Sequence, residues 1–105
     1  MNVDQQIWQR SIDRVSKIFS IPKDELTLSD RFGIDLKPSF VSDFRDNELD
    51  VISNDIHDVA DKSSASDLAA GMIVIETVRD YCEFMVRCGR SNPKEVMHLL
   101  KLDPL

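Results

Sequence analysis

Five carboxylates, Asp46, Glu48, Asp50, Asp55 and Asp58, crowd into one short stretch, and they are the densest collection of chemically capable groups in the chain. Carboxylates can serve as general acids and bases, but that work needs a substrate-sized pocket and a partner that splits their proton affinities. Nothing in the neighbouring sequence supplies one. Crowded carboxylates on one surface serve solubility and the choice of a basic partner instead. His57 and Asp61 stand one helical turn apart and read as a solvated surface pair. Cys82 and Cys88, six residues apart on a helix, point about 120° away from each other, so they are read as unpaired, buried thiols. With His57 and His98 they match no zinc-ligand spacing, and no metal site is expected. The three glycines form no phosphate-binding loop and no serine sits in a nucleophile elbow. The chain is therefore expected not to be an enzyme.

The element that must carry these carboxylates is a helix. Leu49, Ile52, Ile56 and Val59 recur at steps of three, four and three, which puts them on one helical face. That face is predicted to be core. Asp46, Glu48, Asp50, Asp55 and Asp58 are assigned to the remaining arc, and the early ones also suit the positive end of the helix dipole. An acidic outward surface of this kind fits a basic partner.

Around this helix the sequence resembles the acyl carrier proteins. Their second helix opens as Asp-Leu-Gly-x-Asp-Ser-Leu-Asp, and its serine carries 4'-phosphopantetheine. The matching residues are Asp43, Phe44, Arg45, Asp46, Asn47, Glu48, Leu49 and Asp50, preceded by Ser39, Phe40 and Val41. Glu48 occupies the serine position, and a carboxylate cannot form that phosphodiester. The earlier run Ile21, Asp24, Glu25, Leu26, Thr27 and Phe32 resembles the family's first loop, and Ile75, Thr77, Val78 and Asp80 resemble the opening of its last helix. A competing frame aligns Phe32-Gly33-Ile34-Asp35-Leu36 with the family's Phe-x-x-Asp-Leu and carries the serine position to Phe40, beside Ser39. The resemblance implies a protein that is presented to acyl-transfer or biosynthetic enzymes through its acidic helix, with no prosthetic group. The alternative it leaves open is a true carrier, with 4'-phosphopantetheine on Ser39 or Ser42. Read without the resemblance, either serine caps a turn or helix.

The other elements follow from periodicity and capping. Trp8, Ile12, Val15 and Phe19, widened by Ile18, make the stripe of a first helix from Asp4 to Phe19, ended by Pro22. Ile21 to Phe32 reads as a loop with apolar pegs at Leu26, Leu28 and Phe32. Asp61 to Ser66 reads as a polar loop, after which Ser66 caps a short turn ended by Gly71. Met72 to Glu76 is strand-like in propensity, lacks a partner strand and is expected to be a buried connection. Thr77 with Asp80 gives a capping-box pattern for a helix to Cys88, buried through Val78, Tyr81, Cys82, Met85 and Val86, with Gly89 as its cap. Asn92, Pro93 and Glu95 announce a last helix to about Leu102 with Val96, Leu99 and Leu100 on its apolar face.

These elements predict an all-α fold, an acyl-carrier-like bundle of three main helices and a short one, with an extra C-terminal helix. The 105 residues, 42% hydrophobic, suit a single domain, with a core from about residue 4 to 88 and an extension over 92–102. A net charge of −6 and a pI near 4.7 argue against nucleic acid and anionic membrane surfaces as partners. No apolar run approaches the length of a membrane span, and the first residues lack the order of a signal peptide. A cytoplasmic monomer is the expectation.

Overall fold

The computed structural model describes residues 2–38 and 47–102. Among them are five α-helices, α1 (Val3–Phe19), α2 (Glu48–Val59), α3 (Lys62–Ala69), α4 (Val78–Ser91) and α5 (Pro93–Leu100), with a 3-10 turn at Lys23–Glu25. No β-strand occurs among the described residues. Backbone bridging is confined to two isolated bridges, Arg31 with Thr77 and Phe32 with Leu36. No described helix is long and apolar enough to cross a membrane.

Local chemistry sets most helix starts. Asn2, Asn47 and Thr77 each open a helix with a reciprocal capping box, closed by Gln5, Asp50 and Asp80. Each box satisfies two backbone donors that the first helical turn leaves orphaned. The helix α3 departs from the expected loop. Asp61 is its N-cap, its carboxylate accepting the Ser64 N–H at 2.9 Å, so the polar run Lys62–Ser66 is helical. Gly89 also departs from expectation, since α4 continues through it to Ser91.

The core forms where α1 lies along α4, with α2 and α5 completing the enclosure. Its fully buried side chains include Ile7, Val15, Val59, Val78, Tyr81, Cys82, Met85, Cys88 and Val96. The buried stripe of α1 is Ile7, Ser11 and Val15, while Trp8, Ile12, Ile18 and Phe19 are only partly buried at its edges. The stripe is thus rotated by about one residue from the predicted one. Ser11 tolerates burial because its hydroxyl donates to the Ile7 carbonyl at 2.7 Å. Ile52, Ile56 and Val59 of α2 are buried as their spacing predicts. Val96 and Leu100 of α5 join the same core, so residues 92–102 are part of it and not an extension.

The long connection after α1 is tied down where it passes α4. Phe32 packs its ring 6.0 Å from that of Phe19 and edge-on to Tyr81 at 6.4 Å. Backbone carbonyls of Leu28 and Asp30 accept the N–H groups of Arg79 and Val78, relieving donors of the first turn of α4. A tight turn from Arg31 to Leu36 needs Gly33 at φ +85°, and Leu36 plugs inward. The Met72–Glu76 connection is only half of what was expected. Ile73 and Ile75 are half-buried, but Met72 and Val74 face solvent.

Candidate functional site

The acidic helix α2 begins at Asn47, whose side-chain oxygen accepts the Asp50 N–H at 2.9 Å while the Asp50 carboxylate accepts the Asn47 N–H at 3.1 Å. Glu48 is consequently the first helical residue, and it is half-buried. Asp50 and Asp58 are exposed. Ser39, Ser42 and Asp46 lie outside the described residues. Three of the five predicted carboxylates, Glu48, Asp50 and Asp58, can therefore be assigned to the helix surface or its edge.

Asp55 does not belong to that surface. It is 2% exposed and sits at the centre of a buried polar trio. Arg14 of α1 grips it with two hydrogen bonds, Nε to Oδ2 at 3.0 Å and Nη2 to Oδ1 at 2.9 Å. The Tyr81 hydroxyl of α4 donates to Oδ2 at 2.8 Å. A fork-on-fork pairing of this kind is geometrically exacting and charge-assisted, which compensates a carboxylate for lost water. The hydrogen bonds it donates to Asp55 raise the Arg14 guanidinium above its ordinary range, and burial raises the Tyr81 phenol well above its own. The trio joins three helices, with the Asp55 carboxylate and the Tyr81 hydroxyl buried and Arg14 partly exposed at its edge. Its role is positional.

Sequence spacing held the signal for this correction. Asp55 is three residues after Ile52 and four before Val59, so it lies within the apolar stripe and not opposite it. A carboxylate at such a position requires a buried cation or donors, and Arg14 and Tyr81 are the residues that supply them. Neither was identified as a functional position from sequence.

The other predicted groups are engaged within the fold. His57 is exposed, and its Nδ1–H donates to the Ser53 carbonyl at 2.8 Å, one turn back on its own helix. It does not pair with Asp61, whose carboxyl is held below the usual range by the Ser64 hydroxyl and N–H at the start of α3. Cys82 and Cys88 are free and buried. The Cys82 thiol, 4.0 Å from the Trp8 carbonyl, is pushed up to about 12 by burial. Cys88 lies 3.8 Å from the Ser64 hydroxyl and is also raised by burial. Thiols in this state carry almost no thiolate at neutral pH and are poor nucleophiles.

Comparison of the chain with protein-family profiles, with curated proteins and with solved structures gives no match in any of the three.

Proposed function

We propose that this chain is an acyl-carrier-like interaction module that lacks 4'-phosphopantetheine and meets a basic surface of a partner enzyme through α2. The observation that carries the reading is Glu48 at the first position of α2, directly after the capping Asn47. The carrier resemblance gives this position to the modified serine, and a glutamate there removes the attachment chemistry while adding negative charge. The order of elements supports the same reading: a long first helix, a long connection, an acidic second helix, a short third and a long fourth. The carboxylates that remain for the partner are Glu48, Asp50 and Asp58, with Asp46 beside them in sequence. An acyl-transfer or biosynthetic enzyme with a cationic docking patch is the class of partner this implies.

Intact mass after co-expression with a phosphopantetheinyl transferase tests the reading. The wild-type chain is expected to keep its mass, and Glu48→Ser is expected to gain one phosphopantetheine. A gain by the wild type overturns the proposal, and Ser39→Ala and Ser42→Ala then locate the modified hydroxyl and restore the carrier reading. Absence of a gain by Glu48→Ser would sink the alignment on which the module rests.

A further inference from the structure

Among the described residues four large hydrophobic side chains are exposed, and two of them, Met72 at 77% and Val74 at 56%, flank Ile73 in the connection between α3 and α4. Exposure alternates along it, with Ile73 and Ile75 packed against the core and Met72 and Val74 facing solvent. Against this segment lies a groove of about 310 Å³ with Ile73, Val74, Ile75 and Phe84 among its lining. Its polar lining is Asp80, Glu83 and Arg87 of α4. A second groove, of about 300 Å³, shares Glu83 with the first and is lined by Trp8 of α1 and Val86 of α4 with the polar Asn2, Asp4 and Gln5. With Glu83 between them, the two grooves form a strip that follows α4 from Asp80 to Arg87, a rise of about 10 Å.

The charges that line the two grooves are mostly acidic, Asp4, Asp80 and Glu83 against Arg87. Arg87 is neutralised by Asp67 at 2.7 Å. The Asp80 carboxylate accepts the N–H groups of Glu76 and Thr77. The side chains of Glu83 and of Glu76, both exposed, make no hydrogen bond or ion pair among the described residues. An apolar floor with a carboxylate border suits a ligand that is apolar in the middle and cationic at its edges. A second copy of this chain, with its net charge of −6, meets the border with like charge, as does an anionic membrane surface.

We infer that this strip docks a short cationic amphipathic helix of a partner protein. Such a helix offers apolar anchors at i, i+3, i+4 and i+7, a spacing that follows the strip, with lysines or arginines beside them to meet Glu76, Asp80 and Glu83. Met72 fits the role because an unbranched thioether adapts its shape to different apolar anchors. The strip contains no residue of α2, so it is a second surface that goes beyond the acidic-helix reading.

The test titrates the intact chain with three synthetic peptides of about 14 residues, roughly 20 Å as helices. The first carries leucines and phenylalanines on one face with flanking lysines, the second is its scrambled isomer, and the third has glutamates for the lysines. Calorimetry gives affinities, and the Met72 methyl resonance reports the place of binding. The lysine helix is expected to bind and shift that resonance, with the scrambled and acidic peptides about tenfold weaker or worse. The pair Met72→Ser and Val74→Ser, both on exposed side chains, and separately Glu83→Lys, should each weaken the lysine helix by a similar factor. Circular dichroism checks that these variants stay folded. Equal binding of the scrambled peptide, or unchanged affinity in the variants, overturns the proposal. So does self-association of the free chain that the Met72/Val74 pair abolishes, because the strip would then belong to a second copy. Retained binding by an Asp50→Asn, Asp58→Lys variant is expected, and its loss would assign the peptide to α2 instead.

Discussion

Asp55 is the residue whose meaning changes most between the helical pattern and the folded protein. Held by Arg14 and Tyr81, it has exchanged water for three protein hydrogen bonds. Asp55→Ala strands the Tyr81 hydroxyl in the core and leaves Arg14, whose side chain is 31% exposed, to rehydrate in part. The expected cost is about 2–4 kcal/mol in urea denaturation, and Asp55→Asn, which keeps an acceptor, should cost about half as much. A loss below about 0.5 kcal/mol for the alanine variant would mean that the trio does not hold the helices together. Buried acids that stay protonated also set a pH dependence. The folded state binds the Cys82 proton more tightly than the unfolded chain does, raising the thiol from its ordinary 9.0 to about 12. Its contribution is complete below pH 9 and is lost as pH rises toward 12. Tyr81 shifts in the same direction from an ordinary 10.0. Stability is therefore expected to fall above pH 9, each group adding at most about 1.4 kcal/mol per pH unit. Urea midpoints across pH 7 to 11 should show this decline. Cys82→Ala should lessen the slope between pH 9 and 10, where Cys88 and the onset of Tyr81 ionisation in the unfolded chain also contribute, and an unchanged slope there would exclude Cys82 as a source.

At the level of elements, Gly89 of α4 lies directly against Ile7 of α1. A Cβ at this position would stand 2.4 Å from Cδ1 of Ile7, a side chain only 1% exposed. Gly89→Ala combines overpacking of about 1–3 kcal/mol with a gain in helix propensity of about 1 kcal/mol, so a net loss of up to about 2 kcal/mol is expected. Ile7→Val removes the obstructing methyl, and in that background Gly89→Ala should be neutral or stabilising. Equal effects in both backgrounds would show that Ile7 is not what excludes the side chain. The same glycine marks the limit of sequence reading. A glycine that ends a helix and one that admits a neighbouring helix look alike in one dimension, and only the position of Ile7 separates them. The helices α1, α2, α4 and α5 were legible in their apolar periodicity, and for α4 the cap at Thr77 agreed with it, whereas Asn92 begins α5 without a side-chain cap. The helix α3 was legible only as a short turn begun at Ser66, because its eight residues lack an apolar stripe and its start is signalled by the single cap at Asp61. The phase of α1 was displaced by the burial of Ser11, a polar residue made acceptable by a hydrogen bond within its own helix. On the acidic helix the exposure of Asp50 and Asp58 was legible, and the burial of Asp55 was signalled by its place in the apolar stripe, but its cation was not, because Arg14 lies 41 residues away in sequence.

For the whole molecule, the net charge of −6 is distributed over surfaces that differ in kind. The face of α2 is charged, whereas the strip along α4 is apolar with a charged border. Their responses to salt should differ accordingly. Association with a basic partner through α2 should slow as salt rises, since such attraction is screened over about 8 Å at physiological ionic strength. The variant Asp50→Asn, Asp58→Lys removes three units of negative charge, one at the first position and two at the second. Asparagine at position 50 can still accept the Asn47 N–H, so the cap of α2 survives. Pull-down from the native cell extract, wild type against this variant, should lose partners through the slower association. Identical partners in identical amounts would reduce α2 to a solvated face.

The dominance of the contact between α1 and α4 also dictates when the fold can assemble. These helices are separated in sequence by roughly 60 residues, and closing a loop of that length costs about 2 kcal/mol more entropy than closing one of six. In the native fold α1 packs chiefly on α4 and not on its sequence neighbour α2, so its packing depends on non-local closure and folding should be slower than in a simple helical hairpin bundle. On a ribosome adding about 5–20 residues per second, α1 emerges several seconds before α4. During that interval Ile7, Trp8, Ile12 and Val15 lack the helix that will cover them, and the nascent chain presents its longest amphipathic segment to whatever chaperone waits at the exit.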